Sequence, residues 1–160
     1  MKKALWLFVL ALGLAVVAFA GVDFSGTWAF DAANSDAARG GGGGGGGGAR
    51  MGGAPSDLTI KQTGNEIAIT QMRGGNPSET KYIADGAEHT NTTPMGDAKY
   101  KAELSGETLT ITMTSSMGDR GSFTSSTKYA LSADGKVLTV TTTSNFGGTE
   151  RVRKQVYNKK

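Results

Sequence analysis

The sequence predicts an all-β domain, an up-and-down antiparallel barrel of about 8–10 strands, and three observations carry that prediction. Beyond residue 20, apolar and polar side chains alternate with a period of two, and no stretch keeps the spacing of a helix. A turn glycine followed by an alternating strand recurs at Gly64–Thr70, Gly106–Thr112 and Gly135–Thr141. The intervals between these copies are unequal, which marks successive hairpins rather than a solenoid repeat. Threonine also fills the polar positions: Leu109, Ile111 and Met113 alternate with Thr108, Thr110, Thr112 and Thr114, while Leu138, Val140 and Thr142 alternate with Thr139, Thr141 and Thr143. A β-branched residue fits the pleat and its hydroxyl meets water, so the all-threonine faces belong outside. A long meander leaves two open edges unless its last strand pairs with its first, so closure into a barrel is expected.

Taken in order, the chain opens on a leader. Lys2 and Lys3 precede an uncharged run from Ala4 to Val17, and Ala18-Phe19-Ala20 supplies the small residues of a cleavage site after Ala20. Export is therefore expected, to the periplasm or the exterior, with residues 1–20 removed and 21–160 forming one domain. The apolar run is short for a membrane span and no charge cluster follows it, so no stable span is expected after cleavage. The sequence has no cysteine, which excludes disulfides, thiol catalysis and thiolate metal sites. Lys2 and Lys3 account for two units of the formal net charge of +3, so the mature domain has no broad positive field for nucleic acid.

Ten strands are expected, near residues 24–31, 57–62, 66–73, 79–84, 87–92, 97–104, 107–115, 122–131, 136–144 and 149–157. The first sets Phe24, Gly26, Trp28 and Phe30 on one face. After it, nine glycines run from Gly40 to Gly48 with no Gly-Lys-Ser/Thr following, so they cradle no phosphate. The segment near 37–54 is read as a disordered, low-complexity insertion; the alternative is a flap over the mouth with Arg39 and Arg50 at its bases. Consecutive turns of a meander alternate between its two ends. One end receives tight polar turns at Thr63–Asn65, Asp85-Gly86, Ser105-Gly106 and Ala133–Gly135. The other receives Gly74–Ser78, Thr93–Gly96, Met117–Gly121 and Asn145–Gly148, expected to be longer and to carry Met95, Met117 and Phe146. Inward residues follow the same gradient, with Leu104, Leu109, Leu131 and Leu138 near the tight end and Gln71, Ser115, Ser125, Thr127, Thr142 and Ser144 toward the loops. The interior should be packed at one end and wet at the other.

The run Phe24-Ser25-Gly26-Thr27-Trp28 resembles the first strand of lipocalin and wider calycin barrels, which carry a Gly-x-Trp. With Asn34-Ser35-Asp36, the glycine-rich insertion and the threonine-rich hairpins, the chain is similar to uncharacterised exported bacterial proteins with a lipocalin-like domain. The resemblance implies that Phe24, Gly26 and Trp28 help close the barrel, Trp28 packing under a basic residue of the last strand. Arg151 or Arg153 would fill that role if first and last strands pair, at about 0.5–2 kcal/mol. The disulfide and flanking helix usual in lipocalins are not visible. Ten strands and a terminal Val156-Tyr157 also resemble fatty-acid-binding proteins, but their Arg-x-Tyr carboxylate anchor is absent because position 155 is Gln.

For binding, the last strand is the most suggestive: Arg151, Arg153, Gln155 and Tyr157 share one face, and Val152, Lys154 and Val156 the other. Either face brings a cation inside, where it needs a partner, water or an anionic ligand. Two readings stay open. The valine face is inward with Lys154 snorkelling to the rim, or the arginine face is inward. In the second, Arg151 or Arg153 holds the carboxylate or phosphate of an amphiphile whose tail lies against Tyr100, Met113 and Tyr129, with Ser125, Thr127 and Thr142 on the wet wall. His89 is the only histidine, lies beside Glu88, and is read as a surface residue. No nucleophile elbow or paired-histidine motif occurs, so no enzyme, metal or cofactor is expected. The expected function is that of a monomeric carrier binding a small hydrophobic or amphiphilic molecule, anionic ones included, without turnover. The alternative is an envelope protein-interaction module, inhibitor or scaffold, with a filled barrel.

Overall fold

A computed structural model describes residues 22–36, 56–73, 75–93, 96–116, 122–146 and 148–160. The leader, the glycine run, Met95, Met117 and the Phe146 side chain lie outside the described part. Ten strands follow in chain order: β1 (Gly26–Asp31), β2 (Leu58–Thr63), β3 (Glu66–Arg73), β4 (Asn76–Ile83), β5 (Asp85–Thr93), β6 (Gly96–Ser105), β7 (Thr108–Ser116), β8 (Ser122–Leu131), β9 (Val137–Phe146) and β10 (Thr149–Lys159). Among the described residues there is no helix. All strand pairs are antiparallel, in the order β4-β3-β2-β1-β10-β9-β8-β7-β6-β5, so the sheet curls into a nearly closed barrel.

The expected closure is present. β1 and β10 pair from Trp28 opposite Lys159 to Asp31 opposite Val156. Past the end of β1, side chains continue the ladder: the Val156 N–H donates to Ser35 Oγ at 2.8 Å and the Lys154 N–H to Asp36 Oδ2 at 2.6 Å. The Asp36 N–H returns a bond to the Lys154 carbonyl at 2.9 Å. Asp31 fixes the bend that makes this possible, accepting the N–H groups of Ala33 and Asn34 at 3.0 and 3.2 Å. The Asn34-Ser35-Asp36 motif thus lengthens the closing seam.

Two expectations about the turns are corrected. Three links read as long span only two residues each, since Arg73 pairs with Asn76, Thr93 with Gly96 and Phe146 with Thr149. Asn76 and Pro77 belong to β4, and proline is tolerated there because β4 is an edge. Conversely, Asp85-Gly86 is no hairpin turn. Only Ala84 separates β4 from β5, which is shorter than the two residues a tight hairpin needs. β5 instead starts with an irregular register between Asp85 and Glu88, with Gly86 at φ +78°, and the two strands do not pair. Side chains cross this break. The Ile83 N–H donates to the Tyr100 hydroxyl at 3.1 Å, and Asn91 Nδ2 donates to the Lys81 carbonyl at 3.0 Å.

Inside, Phe24, Trp28, Leu58, Ile60, Ile67, Leu109, Leu138 and Tyr157 are fully buried. Each such side chain contributes about 1.5–3 kcal/mol by leaving water. No buried side-chain nitrogen or oxygen among the described residues lacks a partner.

Candidate functional site

Strand register stacks the inward side chains of β7, β8, β9 and β10 in rows, each crossing four strands. Leu109, Tyr129, Val140 and Gln155 form one row; above it lie Ile111, Thr127, Thr142 and Arg153; above that, Met113, Ser125, Ser144 and Arg151. Below them, Leu131, Leu138 and Tyr157 meet Phe30, whose ring stands edge-on to Tyr157 at 5.6 Å. Burial falls along the same axis: Leu138 and Leu109 are fully buried, Tyr129 nearly so, Thr127, Thr142, Arg153, Met113, Ser125 and Ser144 half-buried, and Arg151 exposed. The packed floor expected from the sequence is present, and the upper wall carries half-buried hydroxyls and arginines.

Register also settles the open question of β10. Arg151, Arg153, Gln155 and Tyr157 align with the inward residues Ser144, Thr142, Val140 and Leu138, so the arginine face is inward. Val152 and Lys154 face out and are exposed. Neither guanidinium has a hydrogen-bond or ion-pair partner among the described residues. Thr127 and Thr142, on the Arg153 row, have their hydroxyls 3.3 Å apart. Two rows lower, burial pushes the Tyr157 hydroxyl up to about 12, and the Arg153 charge partly offsets that rise.

Six of the predicted residues, Met113, Ser125, Thr127, Thr142, Arg151 and Arg153, come together on two adjacent rows. Tyr129 lies one row below. Tyr100 is in register with Met113, but its hydroxyl is turned to the Ile83 N–H at the break.

Phe24, Gly26 and Trp28 do sit at the closing seam, but the cation over Trp28 is neither Arg151 nor Arg153. Lys159 Nζ lies 5.3 Å from the indole centroid. With Trp28 opposite Lys159, Arg153 is six residues along β10, about 20 Å away at the rise of an extended strand. Gly26 makes room for this arrangement, because a Cβ there would come within 3.0 Å of Lys159 Cε, and its φ is +148°. Trp28 Nε1 donates to the buried Phe24 carbonyl at 3.1 Å.

His89 is likewise corrected. It is half-buried rather than free at the surface: it aligns with Tyr100, stacks on that ring at 5.4 Å, and shares a 2.9 Å hydrogen bond between Nε2 and Asp85 Oδ1. That bond is the main cause holding the Asp85 carboxyl below its ordinary range. Tyr82 meets the other side of Tyr100 edge-on at 5.1 Å. This aromatic cluster escaped the sequence reading because residue type alone says nothing of register: the pairing of Thr93 with Gly96 sets His89 opposite Tyr100, and the irregularity between Asp85 and Glu88 lies outside that stretch. Two outer grooves of about 300 and 380 Å3 lie on β5–β8, lined by Glu88, Lys99, Lys101 and Glu103 and by Thr90, Asp97 and Ser116. Ion pairs Lys99–Glu88 and Lys101–Glu103 occupy the first, at 2.7 and 2.6 Å. Both grooves lie on the outer face of the sheet, outside the rows that carry the inward arginines and hydroxyls, so the interior rows are the better candidate. No group of three or more metal-ligating side chains occurs among the described residues.

The same architecture is found in solved structures. A protein described as the REP1-NXSQ fatty acid transporter superimposes with a TM-score of 0.56 at 13% identity, covering 86% of this chain and 96% of the other. The fold is calycin-like. A point mutant of that transporter gives a TM-score of 0.52 at 12% identity, over 86% of this chain and 98% of its own. Zebrafish ileal bile acid-binding protein complexed with cholic acid is similar at a TM-score of 0.48 and 22% identity, over 65% and 72% of the two chains. No family model matches the sequence, and no curated protein matches it. No helix among the described residues is long and apolar enough to cross a membrane.

Proposed function

We propose that this chain is an exported carrier that binds a small anionic amphiphile within its barrel, without turnover. The observation that carries the reading is Arg153: a half-buried, inward cation with no described protein partner, on a row of hydroxyls directly above an apolar floor. Arginine cannot shed its proton, so its charge must be answered by water or by a ligand anion. A head group at Arg153, Thr142 and Thr127 leaves a tail to lie along Met113, Tyr129 and Tyr100. The calycin-like barrel is consistent with this, since a neighbour of the same architecture is named as a fatty acid transporter. The basic, apolar and small-residue pattern of residues 1–20 supports export.

Paired probes test the reading. Arg153→Ala should weaken the anionic dye 1-anilinonaphthalene-8-sulfonate about tenfold, the equivalent of one charge-assisted contact, while leaving the neutral dye Nile red within about twofold. Uptake of neither dye by the folded protein would end the carrier reading. The second reading, an envelope interaction module, is favoured by one observation: β4 and β5 present unpaired strand edges on which an extended peptide could add a strand.

A further inference from the structure

The upper wall carries two arginines, one positive charge more than a single carboxylate neutralises. Arg151 and Arg153 stand two residues apart on the inward face of β10, about 6.7 Å along the strand. Each heads its own hydroxyl row, Arg153 with Thr142 and Thr127, Arg151 with Ser144 and Ser125. Neither guanidinium has a partner among the described residues, and no inward strand position described here carries a carboxylate. The Asp85 carboxylate that reaches His89 belongs to β5, and β5 borders the break, five positions from β10 in the sheet order. Two fixed like charges so close together repel, and neither can be neutralised by losing a proton.

On the carrier reading, we infer that the head group is a phosphate monoester, so that the ligand is a single-chain alkyl or acyl phosphate rather than a simple fatty acid. A monocarboxylate can accept from both guanidinia but neutralises one charge of the two, and leaves the other to water at exposed Arg151. A phosphate monoester carries about −1.5 to −2 charges at neutral pH and three strong acceptor oxygens. It therefore matches both cations and still accepts from the two hydroxyl rows. The long arginine stems let both guanidinia converge on one tetrahedral group from their separate rows.

The test holds the tail constant and changes the head. Dodecyl phosphate, dodecanoate, dodecanol and inorganic phosphate are titrated calorimetrically into the protein near pH 8, each amphiphile below its micelle concentration. Dodecyl phosphate should bind about tenfold tighter than dodecanoate, one extra charge-assisted contact. That ratio should collapse toward one in Arg151→Gln, and should shrink in the wild type as the pH falls through about 6, where the phosphate takes up its second proton. Inorganic phosphate should not compete at concentrations that saturate the site with dodecyl phosphate. Dodecanoate binding as tightly as dodecyl phosphate, or a preference that survives Arg151→Gln, overturns the inference. Free phosphate competing on equal terms overturns it too, by showing an anion site indifferent to the tail. Equal binding of all three amphiphiles would keep the carrier and remove the phosphate; binding of none would remove both.

Discussion

Trp28 shows how much of a five-residue motif is physical necessity. Its indole N–H satisfies the buried Phe24 carbonyl, its ring lies under the Lys159 ammonium, and Gly26 vacates the space through which the lysine stem passes. Trp28→Phe keeps most of the apolar volume but orphans that carbonyl, so it should lower stability by about 1–3 kcal/mol. Lys159→Gln, which removes only an exposed cation over the ring, should cost under about 1 kcal/mol. Chemical denaturation of the two variants checks the order; a larger loss for Lys159→Gln would move the weight of the motif from the hydrogen bond to the cation. The structural role of Trp28 was legible in the sequence, because the motif and the alternation agree. Its partner was not. Local pattern says which face of β10 is apolar or charged, but the register that brings Lys159 rather than Arg153 opposite Trp28 is decided by the whole β1–β10 ladder.

Strands differ in what holds them. β10 and β9 pair over their full length from Thr149 to Asn158, whereas β4 and β5 share no ladder and depend on Tyr100 and Asn91 reaching across. Tyr100→Phe deletes the acceptor of the Ile83 N–H while keeping the ring that stacks on His89 and meets Tyr82. Amide exchange at Ile83 should therefore accelerate, by roughly tenfold for a lost hydrogen bond of about 1.4 kcal/mol, while amides of the β9–β10 ladder stay protected. Unchanged exchange at Ile83 would mean that Tyr100 does not hold the edge. All ten strands could be read from alternation and turn glycines, because period two is a local signal. Hairpin and break look alike in such a reading. Asp85-Gly86 has turn chemistry, and only the single-residue link at Ala84 tells that the chain cannot fold back there. The inward placement of His89 follows instead from the Thr93–Gly96 pairing, a register that residue type alone does not reveal.

At the scale of the whole molecule, the interior is a gradient from fully buried aromatic and aliphatic rings to half-buried hydroxyls and arginines. That gradient was legible because leucines and hydroxyl residues separate along each hairpin, and strand rise converts sequence position into height. Which face of β10 turned inward was not legible, since a cation occurs on both. The gradient also couples folding to alkali. Tyr157 is buried in the floor with its hydroxyl pushed up to about 12, above the ordinary value of 10.0. The proton it retains in the folded state supports stability fully below pH 10, and that support is lost as pH rises from 10.0 toward about 12. Urea unfolding followed across that interval should show wild-type stability falling more steeply than that of Tyr157→Phe; parallel slopes would show that Tyr157 ionises equally in both states. The break between β4 and β5 has a last consequence. Ten strands in this order have nine hydrogen-bonded interfaces, and the peptide bond from Ala84 to Asp85 links two strands that share none of them, while the Ala84 N–H extends the β3–β4 pairing to the Asn65 carbonyl at 2.7 Å. Residue 160 meanwhile ends beside Thr27, its N–H bonded to that carbonyl at 2.9 Å. A circular permutant that joins residue 160 back to residue 22 through a short flexible bridge, and opens the backbone between Ala84 and Asp85, would keep every ladder and the Ala84 bond to Asn65 while turning the break into a pair of free chain ends.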